Sequence, residues 1–163
     1  MSEWDSELHL ITEIELDEET VIRRSPEVEH ERAVALYDIK ARNRFRLIGE
    51  GLDGPYKVRL SIEDHKRLVF HVTNDAGETI KDVMLAMSSF RRLIRDYFQI
   101  CESYFDAIKK LSPAQIETID MARRGLHNEG ADLLKERLED KISMDRATTR
   151  RMFTLICVLH IRG

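Results

Sequence analysis

The chain has 163 residues, 42% apolar and 34% charged, with 26 Lys and Arg against 30 Asp and Glu. Seven glycines and three prolines exclude a fibrous or linker-rich chain, and no apolar run approaches the roughly 20 residues that span a bilayer. The opening MSEWDSELHL is acidic where a targeting leader would be basic and then apolar, so a cytoplasmic location without a membrane partner is expected.

Leu8, Leu10, Thr12, Ile14 and Leu16 alternate with His9, Ile11, Glu13 and Glu15, the period of two of a strand with one buried face. Ser25-Pro26-Glu27 supplies an N-cap, a proline at the first helical position and an early acid, which predicts a helix from Pro26 to about Arg42. Phe45 and Leu47 suggest a short strand ending at the glycine-rich loop of residues 49–55. Tyr56, Val58, Leu60 and Ile62 alternate with polar residues, and a turn at residues 63–66 leads into Leu68, Phe70 and Val72. A second turn at residues 74–77 precedes a strand over residues 79–87, so residues 44–87 read as a four-strand antiparallel meander.

From Ser89 the period becomes 3.6, with Phe90, Leu93, Ile94, Tyr97, Cys101, Tyr104, Phe105, Ile108 and Leu111 on one stripe of a helix. Ser112-Pro113-Ala114-Gln115 is a capping box that opens the next helix. Gly125 and Gly130 leave open whether residues 113–141 form one helix or two. Asp145 can cap a last helix, Arg146 to His160, whose centre is apolar on nearly every side. The expectation is one α+β domain over residues 1–163. In it an antiparallel sheet and one helix over residues 1–87 pack against three helices over residues 88–163. Cys101 and Cys157 lie in apolar stretches without zinc-ligand spacing and read as reduced core thiols.

Charge is unevenly spread. Residues 1–31 hold eleven acids and two bases, and the remainder 24 bases and 19 acids, an acidic front that could modulate access to a basic body. The densest polar stretch is Arg123-Arg124-Gly125-Leu126-His127-Asn128-Glu129. On a helix Arg123 and His127 lie one turn apart, as do Arg124 and Asn128, so cations, an imidazole and an amide can converge on one anion. Glu27 and His30, with Glu31 beside them, share a helix face at the spacing of a metal-binding Glu-x-x-His, but no second copy follows and no metal or cofactor is expected. Arg91, Arg92 and Arg95 crowd a helix N-terminus, where the macrodipole disfavours cations, so pairing with acids of residues 13–31 or a bound phosphate is expected. Nucleic acid is not favoured, because no exposed aromatic ladder accompanies these arginines.

The blocks RRSPEVEHERAVALYD, GPYKVRLSI, FRRLIRDYFQICESYFDAI, QIETIDMARRGLHNEGADLLKERL and RRMFTLICVLHIRG resemble a small proteobacterial family known as uncharacterised protein family 0262. The resemblance covers nearly the whole chain and implies a bacterial, cytoplasmic setting, but no activity, substrate or catalytic residue. The residues themselves point first to a non-enzymatic binding or regulatory module that recognises a small anionic ligand or a protein partner through the Arg123 to Glu129 cluster. The alternative is a hydrolase or nuclease using Glu27/His30 and Arg123/His127, with or without a metal. A third reading is homodimerisation through an exposed apolar face of the last helix.

Overall fold

A computed structural model of the chain describes residues 7–17 and 26–160. In chain order the elements are β1 (Ile11–Leu16), α1 (Pro26–Ala41), β2 (Phe45–Leu47), β3 (Tyr56–Glu63), β4 (Arg67–Thr73) and β5 (Thr79–Ala86). A 3-10 turn (Met87–Ser89) leads to α2 (Arg91–Lys110), α3 (Pro113–Leu138), β6 (Ile142–Met144) and α4 (Arg146–His160). The fold is α+β, as the sequence predicts; the predicted Ser25 cap and part of the acidic front lie outside the described residues.

The main sheet has the order β1-β3-β4-β5. β3, β4 and β5 form an antiparallel meander of three strands, and β1 lies parallel to β3, so the sheet is mixed. The expected fourth meander strand, β2, leaves this sheet and pairs antiparallel with β6, from Phe45 opposite Met144 to Leu47 opposite Ile142. β6 has three residues between two helices, too few to display a period. The alternation expected of β1 is also broken. A register shift between Ile11 and Glu13 puts Ile11 and Ile14 in the core and exposes Thr12. Asn43 closes the end of that strand: its Oδ1 accepts from the Ile11 N–H at 2.6 Å, and its Nδ2 donates to the carbonyls of Ile11 and Ile39.

One sheet face, carrying Tyr56, Val58, Leu60, Leu68, Phe70, Val72, Val83 and Leu85, joins Phe153, Leu155 and Ile156 of α4 in one contiguous core. α4 packs against α1, α3 and β3, so residues 152–158 are all buried. Among the described residues this helix offers no apolar face to a second copy. Asp145 caps it as expected, with Oδ1 accepting from the Thr148 N–H at 3.0 Å. The capping box at Ser112 is present, and α3 runs through both glycines as one helix. Gly130 is required there, because a Cβ at that position would lie 2.2 Å from Phe153 Cζ. The stripe predicted for α2 runs out at its end: Ile94, Tyr97 and Cys101 are buried, but Ile108 and Leu111 are 50% and 41% exposed. No helix among the described residues is long and apolar enough to cross a membrane.

Candidate functional site

Where α1, α3 and α4 meet they leave a cleft of about 500 Å³, with Tyr97 of α2 in its wall. α4 contributes Arg146, Ala147, Arg150, Arg151 and Thr154, positions one turn apart on the side of the helix turned away from the sheet. α3 contributes Arg123, Arg124 and His127, and α1 contributes Glu31, Val34, Ala35 and Asp38. The helix that fills the core thus also carries the most cationic wall of the cleft.

His127 is the hub. Its ring packs against Tyr97 and Phe153, with centroids 5.4 and 5.6 Å away. Arg150 Nε donates to Nδ1 at 3.4 Å, and Nε2 lies 2.9 Å from Thr154 Oγ1. An arginine can only donate, so Nδ1 is the acceptor and the ring proton sits on Nε2, directed at Thr154. Burial, reinforced by the charges of Arg150 and Arg123, pulls His127 from 6.5 down to about 4. At neutral pH the imidazole is therefore uncharged. It adds no cation to the cleft and has no free lone pair for a general base; it orients Arg150 instead.

The remaining arginines are held by carboxylates. Arg123 donates twice to Asp120 Oδ1, at 3.1 and 2.7 Å, and Arg124 bonds the other oxygen of the same carboxylate. These hydrogen bonds hold the Asp120 carboxyl below its usual range. Arg123 also lies over the Tyr104 ring, 4.4 Å from its centroid, and 3.9 Å from Glu31. Arg146 pairs with Asp132, and Arg151 lies 3.6 Å from Asp38. Among the described residues Arg150 alone of the five has no carboxylate partner.

The structure gathers only part of the predicted cluster. Arg123, Arg124 and His127 line the cleft together with Glu31. Glu129 lines a separate groove between α2 and α3 that also contains Arg92. Asn128 lines neither, and its Oδ1 is buried without a hydrogen-bond partner among the described residues. Glu27 is half-buried and His30 exposed on α1, outside the cleft wall. Arg91 donates to the His65 carbonyl at 3.0 Å, and Arg92 and Arg95 each lie 3.8 Å from Asp96. The charge of that helix start is thus offset by Asp96 of α2 and the His65 carbonyl, and among the described residues no acid of residues 13–31 pairs with it. Arg146, Arg150 and Arg151 follow His127 by about twenty residues on another helix, so sequence spacing alone does not join them to the cluster; the one-turn spacing of Arg146, Arg150 and Thr154 is the trace they leave in the sequence.

Two other constellations carry less chemistry. On the outer sheet face Ser61 Oγ is 2.9 Å from His71 Nε2, and His71 Nδ1 is 3.2 Å from Asp82 Oδ1. This matches the order of a serine hydrolase triad. Ser61 is only 6% exposed and lies in the β3–β4 ladder, so its hydroxyl is shielded from an incoming substrate and the neighbouring backbone is committed to strand pairing. Cys101 and Cys157 are free and buried. Burial pushes the Cys101 thiol up to about 11, leaving it protonated and unreactive at neutral pH. Among the described residues no group of three His, Cys, Asp or Glu is placed to hold a metal ion.

Comparison with known proteins returns relatives along the whole chain. A UPF0262 protein of Rhodospirillum rubrum is 53% identical over 155 residues, covering 95% of this chain and 94% of the relative. One from Sphingopyxis alaskensis is 50% identical over 166 residues and covers both chains fully. A third, from Brucella anthropi, is 50% identical over 153 residues, 94% of each chain. No solved structure matches. The family model for the uncharacterised protein family UPF0262 matches residues 8–162, and the chain belongs to that family.

Proposed function

We propose that this protein is a binding module that seats one anionic group in the cleft between α1, α3 and α4, with Arg150 as its principal contact and Arg123 and Arg151 at its flanks. The observation that carries the reading is the state of Arg150: half-buried, held through Nε by a neutral histidine, and without a carboxylate among the described residues. A partly desolvated guanidinium with no counter-charge is costly, and an incoming carboxylate or phosphate removes that cost through charge-assisted hydrogen bonds. The anion can belong to a small molecule or to a protein partner, and in either case its binding regulates the chain by stabilising the junction of the three helices.

The test is a thermal-shift titration of the full chain with organic anions, beside an Arg150→Gln variant. Binding at 100 times Kd adds about 2.7 kcal/mol, a rise of roughly 5–10 °C for a chain of this size. The variant should lose that rise while keeping its own Tm within a few degrees. A wild-type protein indifferent to every anion, or a variant that responds equally, defeats the reading.

A further inference from the structure

Four of the five cleft arginines already have acids: Arg123 and Arg124 share Asp120, Arg146 has Asp132, and Arg151 has Asp38. Glu31 adds a further carboxylate beside Arg123. Among the described residues five guanidiniums are thus faced by four carboxylates, and a single positive charge, that of Arg150, is left for an occupant. Two of those acids, Glu31 and Asp38, stand in the cleft wall itself. An occupant with a second negative charge would bring it up against them, where like charges in a partly desolvated site repel.

The other structural seat for a phosphate is taken. α4 begins at the cleft, with Arg146 and Ala147 in the wall, and a helix N-terminus ordinarily attracts phosphate through its free N–H groups. Here Asp145 occupies that end, its Oδ1 accepting from Thr148 N–H. With Nε engaged by His127, Arg150 keeps its two terminal nitrogens, which can grip two oxygens of one carboxylate side by side. Val34, Ala35 and Ala147 supply an uncharged stretch of wall against which the rest of a ligand can lie.

Resting on the anion-site reading above, we infer that the cleft takes a monocarboxylate, one carboxylate on an otherwise uncharged body, in preference to phosphate, a nucleotide or a polyanion. The carboxylate can come from a small organic acid or from the free end of a peptide, and both present the same group to Arg150. Glu31 and Asp38 are then specificity residues: they admit one negative charge and reject two.

Calorimetric titration of the full chain at neutral pH separates these outcomes. The probes are hexanoate and hexanamide, N-acetyl-trialanine as acid and as amide, inorganic phosphate and AMP. The inference expects at least one acid to bind at least tenfold more tightly than its amide and more tightly than phosphate or AMP; whichever acid is tighter identifies the source. In a Glu31→Gln/Asp38→Asn variant, affinity for phosphate and AMP should rise about tenfold while that for the acid changes less. Tighter binding of phosphate or AMP to the wild-type chain overturns the monocarboxylate inference and leaves the anion site standing. So does a double variant with unchanged selectivity. Heat from none of the six probes overturns the anion site as well.

Discussion

With Nδ1 accepting from Arg150 and the Nε2 proton directed at Thr154, the His127 ring can take up a proton only by giving up the contact that orients Arg150. Its folded pKa of about 4 lies below the unfolded 6.5, so between those values the unfolded chain binds more protons. Stability is therefore full above about pH 6.5 and declines as the pH falls toward 4, by on the order of 2–3 kcal/mol. Urea denaturation at pH 7 and pH 5 should show that decline, and a His127→Gln variant, which cannot titrate, should flatten it; an equal slope in both would mean that the ring is not buried neutral. Asp120 has the ordinary carboxylate sign. Its pKa is lowered by Arg123 and Arg124, so its contribution is present at neutral pH and lost as the pH falls through its depressed value. Asp120→Asn should cost about 1 kcal/mol at pH 7, mostly through Arg123, because Arg124 is largely exposed. A cost well above this would show that Asp120 holds the cleft together rather than merely positioning two arginines.

At the scale of elements, α3 contains two glycines with opposite environments. A Cβ at Gly125 would meet nothing within 4 Å, whereas one at Gly130 would run into the Phe153 ring. Gly125→Ala should therefore stabilise the protein by about 0.5–1 kcal/mol through helix propensity. Gly130→Ala should destabilise it by about 1–3 kcal/mol through overpacking, and equal effects in denaturant unfolding would refute the close α3–α4 approach. The two glycines look alike in sequence, because propensity is local and the Phe153 contact is not. The same division separates what could be read from residues from what could not. The capping box of α3, the limits of α4 and the β3–β4 hairpin rest on neighbours a few positions apart, and the sequence predicts each of them. The pairing of β2 with β6 joins segments about a hundred residues apart, the bulge in β1 shifts a pattern by one residue, and the meeting of His127 with Arg150 needs two helices to pack. None of these three features is set by residues close in sequence, and even the helical spacing of Arg146, Arg150 and Thr154 does not say that His127 is their neighbour.

For the whole molecule, α4 links the core to the cleft: one side buries Phe153, Leu155 and Ile156, and the other carries Arg146, Arg150 and Arg151. Phe153 touches both Tyr97 and His127, so packing and anion site share a residue. Truncation of Phe153 to Ala should cost about 3–5 kcal/mol and loosen the histidine as well, whereas the exposed Arg124 can be removed with little effect on either. Anion capture depends on Arg150 being a fixed guanidinium without a carboxylate partner among the described residues. The most direct measurement is NMR of protein labelled with 15N-arginine, following the Arg150 Nε–H resonance, identified by its loss in Arg150→Lys. The expected resonance is protected from solvent exchange at pH 7, broadened or lost in His127→Ala, and moved saturably by hexanoate. An Arg150 signal that exchanges as fast as that of an exposed arginine, stays the same in His127→Ala and ignores every added anion would contradict anion capture by Arg150.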